Sequence, residues 1–284
     1  MSRKKYGLTE YRILRFEREG RGLGTGTTYI PWFLVSDLSS KGRSHRIYWW
    51  KTDRVHHLFS DIEFLAFLFL IWGIWAEVEE AEDIREQFPL PRQETIRIAK
   101  TLGVRHPVDP YSQTLWVVTT DFVVTVATPQ GLTLFAIAAK PEKSLNKASV
   151  LKKLEIERRF WEERQVPWFL VTDTQVKNQI GMNLLWIFDG SCKPNHKDDL
   201  ERTIFSLLAK ERLTHPCVPM KMTCKLIDHQ LSFPEGTALG ALRRMLAWKW
   251  VTVDLNAVYL QDLPMSEFSF REVPKHVYTH DFDC

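Results

Sequence analysis

The stretch that decides the fold is residues 119–140, TTDFVVTVATPQGLTLFAIAAK, in which two apolar runs flank the turn-forming cluster TPQG at 128–131. This pattern predicts a β-hairpin, because strand-forming runs are separated by residues that favour turns. If those four residues form the loop, Ala127 pairs with Leu132. The pairing of every other residue in the hairpin follows from that register.

The same register places an acid and a lysine on one face of the hairpin. Counting back from the turn, Asp121 pairs with Ala138, and the period of two along a strand puts Lys140 on their face. A carboxylate and an ammonium in an apolar strand pair are costly unless both are satisfied. The spacing alone leaves two interpretations: a salt bridge at the sheet end, or a nuclease centre with a metal-binding acid and a lysine that handles water.

A second acid lies at the start of a predicted helix over residues 59–76. Ser60 and Glu63 have capping-box spacing, which is a structural explanation for the glutamate. The alternative is that Glu63 faces the active centre from the helix N-terminus. The apolar run at 64–76 is shorter than the roughly 20 residues that span a bilayer, so we predict a buried helix and no membrane partner.

Composition indicates a globular chain of about two domains. The chain has 284 residues, of which 44% are hydrophobic, and its formal net charge is +3. Residues 1–60 carry 12 Lys and Arg against 5 Asp and Glu. This basic segment indicates a polyanion partner such as DNA, or an ordinary solvated surface. The start lacks an apolar signal-peptide region, and the four cysteines form no CxxC pair, which predicts a reduced, cytoplasmic protein.

The order of predicted elements indicates an α/β fold. A strand and a short helix precede the hairpin, and a long helix at 148–165 and a buried strand at 166–172 follow it, which predicts a mixed central sheet. Beyond residue 173 the sequence pattern changes. It predicts a polar linker at 189–199, an irregular stretch at 216–224, helices, and a strand at 248–255. This second part predicts either a small winged-helix-type domain or a helical accessory domain without nucleic-acid contact.

Several segments together resemble a known family. The segments GRGLGTGTTYIPW, GRSHRIY, VHHLFSDIE, DIREQFPL, TTDF, FAIAAKP, LEIERRFWEE and VPWFLVTD, in this order from about residue 8 to 173, resemble the TnsA family. These proteins are the endonuclease subunits of heteromeric, target-selecting transposons. The resemblance implies a restriction-endonuclease-like catalytic domain at 1–174 and a winged-helix-type C-terminal domain at 175–284 that binds DNA and a regulator.

The resemblance also implies partners and a strand preference. Members of the family cut the strand that ends 5′ at each transposon end, while the integrase-type transposase TnsB cuts and joins the other strand. The AAA+ regulator TnsC binds the C-terminal region of TnsA. We therefore expect transposon-end DNA, a TnsB-type transposase and a TnsC-type regulator as partners.

By this resemblance, Glu63, Asp121 and Lys140 are the catalytic residues. Glu63, Asp121 and the main-chain carbonyl of Ala139 are expected to hold Mg²⁺, and Lys140 to orient the water, or to deprotonate it if its pKa is depressed. The sequence departs from the pattern at Ala138, where the superfamily usually has Asp or Glu and TnsA proteins have Gln. Because Mg²⁺ keeps several waters, binding survives this change.

A further acid, Glu157, lies on the predicted long helix. It is interpreted either as an acid that supports the metal site or as a surface residue in an i,i+4 pair.

The sequence thus predicts an Mg²⁺-dependent endonuclease subunit of a heteromeric transposase. One alternative is a non-catalytic DNA-binding adaptor of the same complex, with a centre that has decayed through Ala138. Another is a stand-alone restriction-type endonuclease, which nicking by the purified protein would support. The joint survival of Glu63, Asp121 and Lys140 favours the catalytic subunit over the adaptor.

Overall fold

A four-stranded mixed sheet lies at the centre of the first part of the chain. The computed structural model describes residues 7–37, 42–75, 81–188 and 199–271. Two units are distinguished by their internal contacts, Met1–Gly181 and Met182–Cys284.

The first unit contains both helices and strands, interspersed along the chain. In chain order they are α1 (Glu10–Arg18), β1 (His45–Trp49), β2 (Arg54–Leu58), α2 (Asp61–Trp72), β3 (Ala81–Pro89), α3 (Arg92–Thr101), β4 (Thr119–Thr128), β5 (Gly131–Lys140), α4 (Ala148–Glu162), β6 (Trp168–Thr172) and α5 (Asp173–Val176). The next helix, α6 (Gln179–Ile187), contains the division between the two units. The domain boundary expected between residues 174 and 175 stays a prediction.

The central sheet has the strand order β3-β4-β5-β6. The first three strands are antiparallel, and β6 runs parallel to β5 after the α4 crossover. Ala127 pairs with Leu132, so the predicted hairpin register is confirmed. The turn closes at Gly131, whose φ of 118° is a conformation that glycine adopts without strain. The predicted α/β fold with a mixed central sheet is confirmed.

The helices pack against the sheet through hydrophobic side chains. Nine consecutive residues of α2, Ile62 to Leu70, are buried, as expected for a helix that is apolar on all sides. This helix ends at Gly73, in the left-handed conformation with φ of 62°. Helices α3 and α4 form a hydrophobic cluster with the sheet. It includes Ile98, Val123, Ala136, Ile156 and Phe160.

A separate two-stranded sheet, β1–β2, precedes α2. Strand β6 differs from the predicted buried strand: only Val171 is fully buried, and 42% of Phe169 is exposed. It is the last strand in the order, which explains its partial exposure.

The described part of the second unit has three helices followed by a short antiparallel strand pair. They are α7 (Asp199–Thr214), α8 (Met220–Gln230), α9 (Thr237–Ala247), β7 (Val251–Thr252) and β8 (Ser269–Phe270). The expected winged-helix-type domain stays a prediction, as does the alternative of a helical accessory domain. The expected irregular stretch at 216–224 is confirmed for residues 216–219 and wrong for 220–224, because α8 begins directly after Pro219, and proline is compatible with a helix start.

Strand β7 is shorter than the strand predicted at 248–255. Trp248 ends α9, and Lys249 has a φ of 59°, so the chain becomes extended only afterwards. Most of the expected polar linker, residues 189–198, lies outside the described residues. Over the described ranges, no helix has both the length and the apolar character to cross a membrane.

Candidate active site at the ends of the hairpin strands

Asp121 is the centre of a buried polar cluster where β4 begins and β5 ends. Phe122 pairs with Ile137, and continuing that register by one residue places Asp121 opposite Ala138, as predicted. Asp121 is only 6% exposed. A carboxylate at this depth must be paired with charges or hydrogen-bond donors.

Both oxygens of the Asp121 carboxylate have partners. Oδ2 accepts hydrogen bonds from Lys140 Nζ at 2.5 Å and from the Ala139 main-chain N–H at 2.8 Å. Oδ1 accepts a longer hydrogen bond from Gln87 Nε2, at 3.4 Å. The Lys140 ammonium also donates to the Ala139 carbonyl oxygen, at 3.1 Å.

Two oxygens that the sequence analysis assigned to a metal therefore converge on one cation. Asp121 Oδ2 and the Ala139 carbonyl oxygen both contact the Lys140 ammonium. Hard oxygen ligands in such an arrangement fit Mg²⁺, which needs few protein ligands. Among the described residues, however, no group of three or more His, Cys, Asp and Glu side chains could hold a metal ion.

Glu63 lies in the first turn of α2, where the charges of Asp121 and Lys140 act on its carboxylate. Ser60 Oγ accepts a hydrogen bond from Glu63 N at 3.1 Å, and Glu63 Oε2 accepts one from Phe59 N at 2.8 Å. Ser60 is therefore the N-cap as predicted, whereas the Glu63 carboxylate binds the N–H of the residue before it rather than that of Ser60. Burial, and then the negative charge of Asp121, raise the pKa of Glu63 to about 7 against the opposing effect of Lys140. The hydrogen bonds at the helix start do not conflict with the interpretation that Glu63 serves the active centre, which stays a prediction.

Glu157 belongs to the same cluster, so its interpretation as a surface residue is wrong. It is 1% exposed, and its Oε1 accepts a hydrogen bond from Trp168 Nε1 at 3.3 Å. Burial, and then the charge of Asp121, raise the pKa of Glu157 to about 7. The charge of Asp121 thus acts on both buried glutamates, an interaction that a cation between them would relieve.

Lys140 stays an ammonium. Burial favours its neutral form, but the charge of Asp121, then those of Glu157 and Glu63, outweigh burial and raise its pKa. The condition under which Lys140 was expected to deprotonate water, a depressed pKa, is therefore contradicted. Its ammonium can orient a water or stabilise an anion.

A second lysine, Lys153, lies one turn before Glu157 on α4. Burial lowers its pKa, and the positive charge of Lys140 lowers it further. Within the part of the chain that the structure describes, Lys153 has no ion pair or hydrogen bond. It is an available cation beside the carboxylates, and the sequence analysis did not identify it.

Sequence reasoning also missed a buried network on β3. The Glu86 side chain is fully buried and accepts hydrogen bonds from Arg54 Nη1 at 2.9 Å, Arg54 Nη2 at 2.7 Å and His56 Nδ1 at 2.9 Å. Burial alone would raise the pKa of Glu86, but the adjacent His56 and Arg54 lower it strongly. The signal in the sequence was the run of polar residues from Arg85 to Gln87 between the apolar Ile84 and Phe88.

The fold and the cluster define a class of protein. A mixed sheet flanked by helices, with an acid and a lysine at adjacent strand ends, is typical of nucleases of the restriction-endonuclease-like class. Residues 79–173 match the family described as TnsA-like endonuclease N terminal, and residues 175–255 match the family described as TnsA endonuclease C terminal.

A curated relative supports the same assignment. The chain is 42% identical over 248 residues to the transposon Tn7 transposition protein TnsA of Escherichia coli, which covers 87% of each protein. The chain therefore belongs to the TnsA family. It is a DNA endonuclease and an endonuclease subunit of a transposition system.

Proposed function

We propose that this chain is the Mg²⁺-dependent nuclease that cuts the 5′ strands at transposon ends. The observation that carries the proposal is the pair Asp121 and Lys140, held at the ends of neighbouring strands with Glu63 and Glu157 beside it. Family membership adds the biological setting, since the relative is a transposition protein.

Asp121, Glu63 and the Ala139 carbonyl oxygen are the groups proposed to hold the metal. When bound, Mg²⁺ lowers the pKa of a coordinated water and neutralises phosphate oxygens, so that a hydroxide can approach an anionic phosphodiester. The raised pKa values of Glu63 and Glu157 support this assignment, because both carboxylates gain from a nearby cation.

The two lysines have separate proposed roles. Lys140 remains charged, so it orients the attacking water and stabilises negative charge on the phosphate. Lys153, which has no ion pair among the described residues, is placed to contact a phosphate oxygen. Hydrolysis would leave a 5′-phosphate and a 3′-hydroxyl.

For the C-terminal domain, proposed to span residues 175–284, contacts within the second unit favour protein binding over DNA reading. A winged-helix domain reads DNA with side chains of its third helix, here α9. Its two arginines have internal partners: Arg244 donates to Glu201 Oε1 at 2.6 Å and 2.8 Å, and Arg243 Nε donates to the Trp186 carbonyl at 2.7 Å. We infer that this domain contacts a TnsC-type regulator, while a TnsB-type transposase cuts the other strand.

The test is transposition with all partner proteins, with breaks mapped on both strands. Asp121→Ala should abolish breaks on the 5′ strand and leave those of the partner transposase on the 3′ strand. Asp61→Ala is the matched control, because it removes an exposed acid from the first turn of α2. Full 5′ cutting by Asp121→Ala would refute the site.

Two other outcomes decide between the alternatives. Nicking of DNA by the purified chain alone would indicate a stand-alone endonuclease. Absence of 5′ breaks with wild-type protein in an otherwise active complex would indicate the non-catalytic adaptor.

A further inference from the structure

Gln87 has an unusual backbone conformation inside a β-strand. Its φ is 48°, in the left-handed region, although it lies within β3. A non-glycine residue in this region is strained and persists only where its surroundings impose it. Such residues are often found at functional sites.

The register places Gln87 directly beside the proposed catalytic acid. Glu86 pairs with Phe122, and Phe88 pairs with Thr120, so Gln87 lies opposite Asp121 across β3 and β4. Asp121 has Ala138 on its other side, across β4 and β5, and alanine offers no polar side-chain atom. In this row of three residues, Gln87, Asp121 and Ala138, Gln87 is the one that carries a side-chain amide.

Both ends of the Gln87 amide are engaged. It is 6% exposed, its Nε2 donates to Asp121 Oδ1 at 3.4 Å, and its Oε1 accepts from Thr119 Oγ1 at 3.3 Å. Because Lys140 and the Ala139 N–H bind the opposite carboxylate oxygen, Asp121 is held from two sides. Donors on both oxygens restrict rotation of the carboxylate plane.

The neighbouring residue explains how the left-handed conformation is maintained. Glu86 is fixed by Arg54 and His56, and its carbonyl oxygen accepts a hydrogen bond from Tyr29 Oη at 3.0 Å. The Gln87 carbonyl accepts one from Trp32 N at 3.3 Å. With these anchors in place, the chain at Gln87 cannot relax into an extended conformation without breaking buried contacts of Glu86.

From this geometry we infer that Gln87 is a positioning residue, which orients the Asp121 carboxylate for metal binding and 5′-strand cleavage. The inference rests on the proposed function, since it requires Asp121 to act in that reaction. Gln87 acts through Asp121 rather than on the phosphate. Its loss should therefore weaken the response to Mg²⁺ more than the assembly of the complex.

Two substitutions separate this role from a structural one. Gln87→Gly removes the amide and relieves the left-handed backbone, whereas Gln87→Met removes the amide and keeps the bulk and the strained backbone. The two variants should differ in melting temperature. If Gln87 positions Asp121, both should lose 5′ cleavage to a similar extent, on the order of 10- to 100-fold, as do residues that orient a metal ligand.

The measurement is a Mg²⁺ titration of 5′-strand cleavage in the assembled complex, with 3′-strand cleavage by the partner transposase as the control for assembly. Higher Mg²⁺ should restore part of the cleavage by both variants. Gln165→Gly and Gln165→Met are matched controls, because Gln165 is exposed and has a φ of 56°. These controls should cut like wild type.

Asp121→Ala, measured in parallel, distinguishes two kinds of failure. If Asp121→Ala cuts normally, the proposed site is wrong. If Asp121→Ala is inactive while both Gln87 variants cut with the wild-type Mg²⁺ midpoint, only the role of Gln87 is overturned. Loss of cleavage that follows melting temperature and does not respond to Mg²⁺ would also overturn it, because that pattern indicates a structural role.

Discussion

Replacing Glu63 with glutamine should stabilise the metal-free protein at neutral pH. Glu63 is 5% exposed, and its pKa is raised from 4.5 to about 7 by burial and then by the charge of Asp121. A carboxyl group whose pKa is higher in the folded state binds its proton more tightly there. Its contribution to stability is present below pH 4.5 and is lost as the pH rises through about 7.

The size of the effect follows from the shift. A difference of 2.5 units corresponds to about 3 kcal/mol, at about 1.4 kcal/mol per unit. Glutamine carries no charge at any of these pH values, and its amide oxygen can still accept the hydrogen bond from Phe59 N. Relative to wild type, Glu63→Gln should therefore gain up to about 3 kcal/mol between pH 4.5 and 7, or about 6 to 12 °C in melting temperature for a unit of this size.

The assay is calorimetric unfolding in EDTA at several pH values from 4.5 to 8, following the transition of the first unit. Asp121→Asn in the wild-type background should reduce the pH dependence, because the Asp121 charge contributes to the shift. Addition of Mg²⁺ at pH 8 should raise the melting temperature of wild type much more than that of Glu63→Gln. A stability difference between Glu63→Gln and wild type that stays constant from pH 4.5 to 7 would refute the reasoning.

Two further substitutions test the cluster. Ala138→Gln adds a side-chain oxygen beside Asp121 and should lower the Mg²⁺ concentration for half-maximal 5′ cleavage. Because Ala138 is fully buried, the substitution should cost about 1 to 3 kcal/mol of stability. An unchanged midpoint would mean that position 138 does not face the metal. Lys153→Met should reduce 5′ cleavage by at least about 10-fold with little change in the Mg²⁺ midpoint, since the lysine is proposed to contact phosphate; wild-type rates in the same titration would exclude that contact.

The hairpin was predictable because its information is local. Turn residues and the period of two determine the register, and that register alone brought Asp121, Ala138 and Lys140 together. The N-cap Ser60 was predictable for the same reason, since Ser60 and Glu63 are three residues apart.

Features that depend on distant packing could not be predicted in this way. The burial of Glu157 depends on how α4 lies against β6, where Trp168 binds it. The conformation of Gln87 depends on Glu86, whose partners come from the separate hairpin β1–β2. In both cases the residues in contact are far apart in the chain or belong to different elements. No short spacing in the sequence therefore predicts these contacts.

The β1–β2 hairpin also has a consequence for the order in which the protein opens. It supplies Arg54 and His56 to a fully buried carboxylate on β3. Detaching this hairpin would leave Glu86 buried without its counter-charges, a loss of about 3 to 5 kcal/mol. The hairpin and the strand that carries Gln87 should thus behave as one cooperative unit in amide hydrogen exchange, opening and closing together. In a newly made chain, the nuclease centre would then form only after the β1–β2 hairpin has packed against β3, although this hairpin contributes no residue to the proposed chemistry.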